Sequence, residues 1–172
     1  GLTIALMVGV TAAKALAFAW EKPLISINHI HAHLQSALME SDHLELPALG
    51  LIVCGGHTSL YDCHSLLEPK LLGKTIDDAA GEAFDKVASI LNLPYPGGPS
   101  IEKAAKQGDP NAIKFPKSLL SKDSLDFSFS GLKTAVLYHC KGQDMKADNK
   151  AHQMTEKQIA DVAASFQKTA EI

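Results

Sequence analysis

At 172 residues, 46% hydrophobic and 20% charged, the chain is long enough to bury a core as one or two small domains, and its composition argues against disorder. A formal net charge of -3 excludes a protein that grips nucleic acid by bulk charge, so any contact with RNA needs a local patch or a partner. The odd number of cysteines, Cys54, Cys63 and Cys140, has no metal-ligand spacing and suits a reducing cytoplasm better than a disulfide framework.

In chain order, residues 3–20 read as a buried helix. The stretch is apolar but lacks a basic lead and carries Lys14, so it reads neither as a signal peptide nor as a membrane span. Lys22-Pro23 ends it before a short strand over residues 24–27. Asn28 caps the next helix, whose first turns carry His29, His31 and His33. His29 and His33 are four apart, which on a helix stacks both imidazoles on one face, near enough to share a metal ion. The same spacing also serves a polar helix start with no metal, and the residues alone leave both readings open. Ile30 stands where a zinc-protease helix places its general-base Glu, which argues against peptide hydrolysis by that mechanism. Two imidazoles leave a metal short of ligands, so a third, a carboxylate, has to come from elsewhere.

Residues 48–54 are an apolar run of strand length, stopped by Gly55-Gly56, and residues 57–61 restart an extended pattern. Paired glycines after a strand present amide donors to a phosphate or carboxylate, or simply close a hairpin. A further strand is expected over residues 65–72. Thr75-Ile76-Asp77-Asp78 then makes a capping-box-like start for a helix through Leu91. Asp78, Glu82 and Asp85 fall on one acidic stripe, opposite Phe84, Val87, Ala88 and Leu91. Gly81 inside that helix costs about 1 kcal/mol against Ala, and it is expected where another backbone or a ligand comes close. Asp85 beside it can accept from a ribose hydroxyl, although such a stripe is also an ordinary solvated face.

Pro94-Tyr95-Pro96-Gly97-Gly98-Pro99 is a rigid turn, with Ser100 expected to cap a helix over 101–107. Residues 108–124 read as a loop rich in Lys114, Lys117 and Lys122, either an RNA-phosphate contact or a solvated insertion. Residues 127–130 alternate as a short strand, and Gly131 opens a helix to about Tyr138. Its Ser-Gly-Leu-Lys-Thr is not a Walker loop, because the glycine spacing that such a loop needs before Lys-Thr is absent. A polar stretch over 143–153 precedes an amphipathic helix over 156–172 that buries Ile159, Val162, Ala163 and Phe166. The start without Met and the uncapped end lead to the expectation of further sequence on both sides.

Five ordered blocks carry a family resemblance. They are Asn28-His29-Ile30-His31-Ala32-His33-Leu34, Cys54-Gly55-Gly56-His57-Thr58-Ser59-Leu60, Ile76-Asp77-Asp78-Ala79-Ala80-Gly81-Glu82-Ala83-Phe84-Asp85-Lys86, Tyr95-Pro96-Gly97-Gly98-Pro99, and Phe127-Ser128-Phe129-Ser130-Gly131-Leu132-Lys133-Thr134-Ala135-Val136. Over nearly its whole length the chain resembles the catalytic subunit of bacterial-type tRNA N6-adenosine threonylcarbamoyltransferases, formerly described as O-sialoglycoprotein endopeptidases. The resemblance implies an α/β, actin-like or Hsp70-like ATPase fold of two ribonuclease-H-like lobes, with residues 1–50 ending the N-terminal lobe and 51–172 forming part of the second. The implied reaction moves the threonylcarbamoyl group from threonylcarbamoyl-AMP to N6 of the adenosine 3′ of the anticodon, in tRNAs reading codons that begin with A.

By motif, the resemblance makes His29 and His33 ligands of one divalent metal, iron (Fe2+) or zinc (Zn2+). It has Ile52, Val53, Cys54, Gly55 and Gly56 line the adenylate through their backbone, Asp85 hold the ribose, and Gly98 approach the nucleotide. Cys54 stands where the family usually has Ser, a change read as tolerated because the backbone is the expected contact. The implied partners are tRNA, a non-catalytic paralogue and a small ATPase, in the cytoplasm, with the helix over 3–20 and the His29 helix as the paralogue surface. The family's first phosphate-binding hairpin would precede Gly1, and a ligand-binding Asn and an Asp as third metal ligand would follow Ile172. The 172-residue chain by itself is therefore expected to transfer poorly and to bind metal weakly. The competing readings are a nucleotide-binding module of a sugar-kinase-like ATPase and the older metallo-endopeptidase.

Overall fold

In the computed structural model, which describes residues 3–40, 45–65, 67–118, 124–142 and 154–171, two helices precede the first strand. They are α1 (Thr3–Ala19) and α2 (His29–Glu40). Asn28 caps α2 as its side chain predicts, its Oδ1 accepting from the amides of Ile30 at 2.9 Å and His31 at 3.3 Å. The chain divides into two units, one of residues 1–48 with 63–69 and one of residues 49–62 with 70–172. Within the first, α1 has no buried residue, contrary to the expected buried helix. Its apolar side chains fall on every face, with Ile4, Met7, Val8 and Phe18 all exposed. Such a helix is built to be covered on more than one side. The strand expected over 24–27 is also not formed. Leu24, Ile25 and Ile27 are exposed and belong to no ladder, and an extended apolar tetrapeptide needs a pairing partner to become a strand.

The second unit holds an α/β core. Strands β1 (Ala48–Val53), β2 (Thr58–Cys63) and β3 (Lys70–Lys74) form a sheet in that order, and helices α3 (Ala80–Ile90), α4 (Gly97–Ala105), α5 (Ser130–Lys141) and α6 (Glu156–Ala170) complete it. The Cys54 amide donates to the His57 carbonyl at 2.9 Å and so closes the Gly55-Gly56 turn. β2 and β3 are antiparallel, pairing Ser59 with Lys74 and Asp62 with Lys70 across a bulge at Leu60/Tyr61. β3 therefore begins at Lys70, later than the expected 65–72, because its register is set by β2. Gly73 in β3 is required by packing, since a Cβ there would lie 2.0 Å from the Leu125 carbonyl oxygen.

The expected capping box at Thr75 does not start α3. Thr75 Oγ1 instead donates to the Asp78 carbonyl at 2.6 Å in a turn, and the helix begins five residues on. Its first amide, Ala80, donates to Thr58 Oγ1 at 2.8 Å, so the cap comes from β2 across 22 residues. Just past the end of α3 the chain turns away at Asn92, φ 56°, where the Leu93 amide reaches back to the Ala88 carbonyl at 2.8 Å. Asn is among the few side chains suited to that left-handed position. α4 starts at Gly97, four residues earlier than expected, with Ser100 Oγ turned back onto the Pro94 and Pro96 carbonyls rather than serving as the cap. Residues 127–130 contribute a single parallel bridge, Phe127 to Thr75, rather than a strand, and α5 runs past Tyr138 to Lys141. The polar stretch over 143–153 and Lys122 lie outside the described residues.

Side chains from all four of these helices meet in one core: Val87, Ala88 and Leu91 of α3, Ile101 of α4, Leu132, Val136 and Cys140 of α5, and Val162, Ala163 and Phe166 of α6. Phe84 meets Phe166 edge to face at 4.8 Å. A smaller cluster of Ala80, Ala83, Phe127 and Phe129 seats the start of α3 beside Leu60 of β2. This frame fixes α3 relative to both glycine turns.

Candidate functional site

In the first unit, His29 and His33 face each other from successive turns of α2. Their Nε2 atoms are 3.1 Å apart and their ring centroids 4.4 Å apart, as the four-residue spacing predicts. Two nitrogens bound at about 2.0–2.1 Å to one tetrahedral ion would be about 3.3 Å apart. The donor chemistry and the spacing therefore fit a divalent metal, with both rings exposed on one side of the helix. Among the described residues no third His, Cys, Asp or Glu joins them.

In the second unit, the remaining candidate residues are strung along α3. Ile52 and Val53 end β1, and Cys54, Gly55 and Gly56 form the turn after it. Gly81, in the first turn of α3, lies directly against that turn. A Cβ on it would be 2.8 Å from both the Cys54 carbonyl oxygen and Gly55 Cα. The close approach expected at Gly81 is thus an approach of backbone to backbone. One turn further along α3, Asp85 Oδ1 accepts from the Gly97 amide at 2.7 Å, tying the N-terminus of α4 to the same helix. A Cβ on Gly97 would lie 2.5 Å from Asp85 Cα, whereas a Cβ on Gly98 would meet nothing within 4 Å. Gly97 is therefore a packing residue, and Gly98 presents its backbone to open space.

The acidic stripe of Asp78, Glu82 and Asp85 resolves into separate pairings. Asp78 precedes α3, and its two carboxylate oxygens bind Lys86 and Lys133, each at 2.7 Å. Glu82 binds Lys86 at 2.8 Å. Burial pushes the Asp78 carboxyl up, but hydrogen bonds and charge from Lys133 and Lys86 outweigh it and hold it below the usual range. Lys133 of the Ser-Gly-Leu-Lys-Thr segment is thereby committed to a carboxylate.

Sequence reading missed Asp77. Its carboxylate accepts from Ser128 Oγ at 2.5 Å, Ser130 Oγ at 2.6 Å, and the amides of Phe129 at 2.9 Å and Ser130 at 3.3 Å. Burial raises this carboxyl, yet the hydroxyl and amide hydrogen bonds prevail and lower it to about 2. Asp77 therefore caps α5 from 53 residues away. The only sequence signal was an acid facing a Ser-x-Ser pair, which no local rule connects.

Three cysteines, Cys54, Cys63 and Cys140, are free, and burial pushes the Cys140 thiol up to about 11. No helix among the described residues is long and apolar enough to cross a membrane.

Compared with known proteins, residues 1–172 match a family model described as tRNA N6-adenosine threonylcarbamoyltransferase. A protein of that name from Anaeromyxobacter sp. (strain Fw109-5) is 53% identical over 167 residues, which is 97% of this chain and 48% of the relative. Relatives of the same name from Rhodopirellula baltica, 53% identical over 169 residues, and Moorella thermoacetica, 50% identical over 172 residues, each align with 97% of this chain and 47% of their own length. The chain spans about half the length of the curated relatives it matches.

Proposed function

Since the chain belongs to the tRNA N6-adenosine threonylcarbamoyltransferase family, we propose that it carries part of an active site that moves a threonylcarbamoyl group from threonylcarbamoyl-AMP to N6 of the adenosine 3′ of the anticodon. The tRNAs are those reading codons that begin with A, and the fold is the actin-like, Hsp70-like pair of ribonuclease-H-like lobes. In this reading residues 1–50 end the first lobe and 51–172 form part of the second. The setting is the cytoplasm.

The observation that carries the reading is the clasp along α3, where Gly81 packs on the Cys54-Gly55 backbone and Asp85 is tied to Gly97. The backbone of Ile52, Val53, Cys54, Gly55 and Gly56 holds the adenylate, and Gly98 lets the backbone approach it without a side chain between. One oxygen of Asp85 is used by Gly97, and the other accepts from a ribose hydroxyl. Donors fixed this way need little reorganisation when charge builds on the leaving phosphate. The N6 lone pair attacks the carbamoyl carbon, the new N–C bond replaces the C–O bond to AMP, and the N6 proton is lost. His29 and His33 would hold a divalent ion, iron or zinc, which when bound would supply Lewis-acid chemistry. No nucleophilic Ser or Cys is needed. The exposed apolar faces of α1, with α2, suit the non-catalytic paralogue that works beside a small ATPase.

The test is to supply threonylcarbamoyl-AMP and tRNA and to measure the modified nucleoside by mass. In the full-length protein with its partners, transfer that survives in both His29→Ala and Asp85→Ala would remove these residues from the site, and no transfer by the unaltered full-length protein would remove the function.

A further inference from the structure

The segment after α4 folds back onto α6. It is pinned there by the Asp109 amide on Asp161 Oδ1 at 2.7 Å and the Ile113 amide on Ser165 Oγ at 3.1 Å. Ser165 in turn donates to the Asp109 carbonyl at 3.2 Å, and Phe115 is buried beside the helix core. Between the segment and α6 lies a cavity of about 610 Å³, lined among others by Lys114, Lys117 and Lys168. All three lysines are exposed, and the ion pairs among the described residues are made by Lys86, Lys106, Lys133 and Lys157 instead. Lys168 contacts the neutral Asn111 Oδ1. Glu171 is the carboxylate of the lining, and its Oε1 accepts from Gln167.

A chain of net charge -3 thus places three lysines, from two segments about fifty residues apart, in the lining of one concave surface. Lysine is a compact point charge that suits phosphate without base preference. We propose that Lys114, Lys117 and Lys168 form a docking surface for the phosphate backbone of the RNA substrate. The proposal rests on the reading of the protein as acting on tRNA and adds the surface that holds it.

The test is the triple variant Lys114→Gln/Lys117→Gln/Lys168→Gln in the enzyme with its partners, with Lys103→Gln as an exposed lysine outside the surface. The triple variant is expected to raise KM for tRNA roughly tenfold with kcat unchanged, and to reduce the slope of log KM against log salt by about 2–3, near one per lost phosphate contact. Lys103→Gln should leave both unchanged. Unchanged KM and salt slope in the triple variant would overturn the surface while leaving the transferase reading intact. So would loss of a protein partner with tRNA affinity retained, which would mark the lysines as a protein interface. If the unaltered enzyme transfers nothing to tRNA, the functional reading fails. Filter binding of tRNA to the same variants then decides the surface by the same slope.

Discussion

Gly97 and Gly98 are adjacent and have opposite tolerances. A Cβ on Gly97 would sit 2.5 Å from the backbone of α3, so Gly97→Ala should cost about 1–3 kcal/mol in urea unfolding. Gly98 has open space, so Gly98→Ala should unfold like the unaltered protein while KM for the adenylate rises roughly tenfold, the cost of a side chain between backbone and ligand. Unchanged KM would take Gly98 out of the ligand surface. Asp77 makes a different prediction. Its carboxyl is lowered to about 2 from an ordinary 3.8, so its stabilisation is complete above the unfolded value and is lost as pH falls from near 3.8 towards 2. Asp77→Asn should therefore be destabilised at pH 7, and the gap from the unaltered protein should close at acid pH. A gap independent of pH would mean that the charge is not what holds α5. For the histidine pair the readout is metal content. Either His29→Ala or His33→Ala should take up less added metal at equilibrium than the unaltered chain while keeping its helical circular dichroism, because both rings are exposed.

At the scale of elements, α6, like α2, starts where local rules place it. Thr155 accepts from the Gln158 amide at 3.3 Å, and the Gln158 side chain accepts from the Thr155 amide at 2.8 Å. Thr155→Ala should lower stability by about 1 kcal/mol in denaturant unfolding. The same reasoning misjudged α3, because its cap is the Thr58 hydroxyl on a strand 22 residues earlier. It misjudged α4 because Gly97 is held in helical register by the Asp85 carboxylate, not by Ser100. Both helices are started by groups that only folding brings near, and no window of adjacent residues contains that information.

Across the molecule, burial is concentrated in the second unit, where Leu91, Ile101, Val136 and Phe166 are 0% exposed, while α1 has no buried residue. Hydrogen exchange on this chain should therefore find the amides of α3 and α6 protected and those of α1 exchanging early, since an isolated helix of 17 residues is marginal in water. Equal protection in α1 would mean that its apolar faces are covered.

By itself the sequence determined the family, the Asn28 cap with His29 and His33 on one face, and the two glycine turns, because each is written in residues a few positions apart. The tertiary structure decided which acid serves which partner, with Asp85 bound to Gly97, Asp78 to two lysines and Asp77 to α5. It also decided that Lys168 and Lys114 line one cavity. Hydrogen bonds and charges act over a few ångströms of space, and only the packing of α3 to α6 brings those residues within that range.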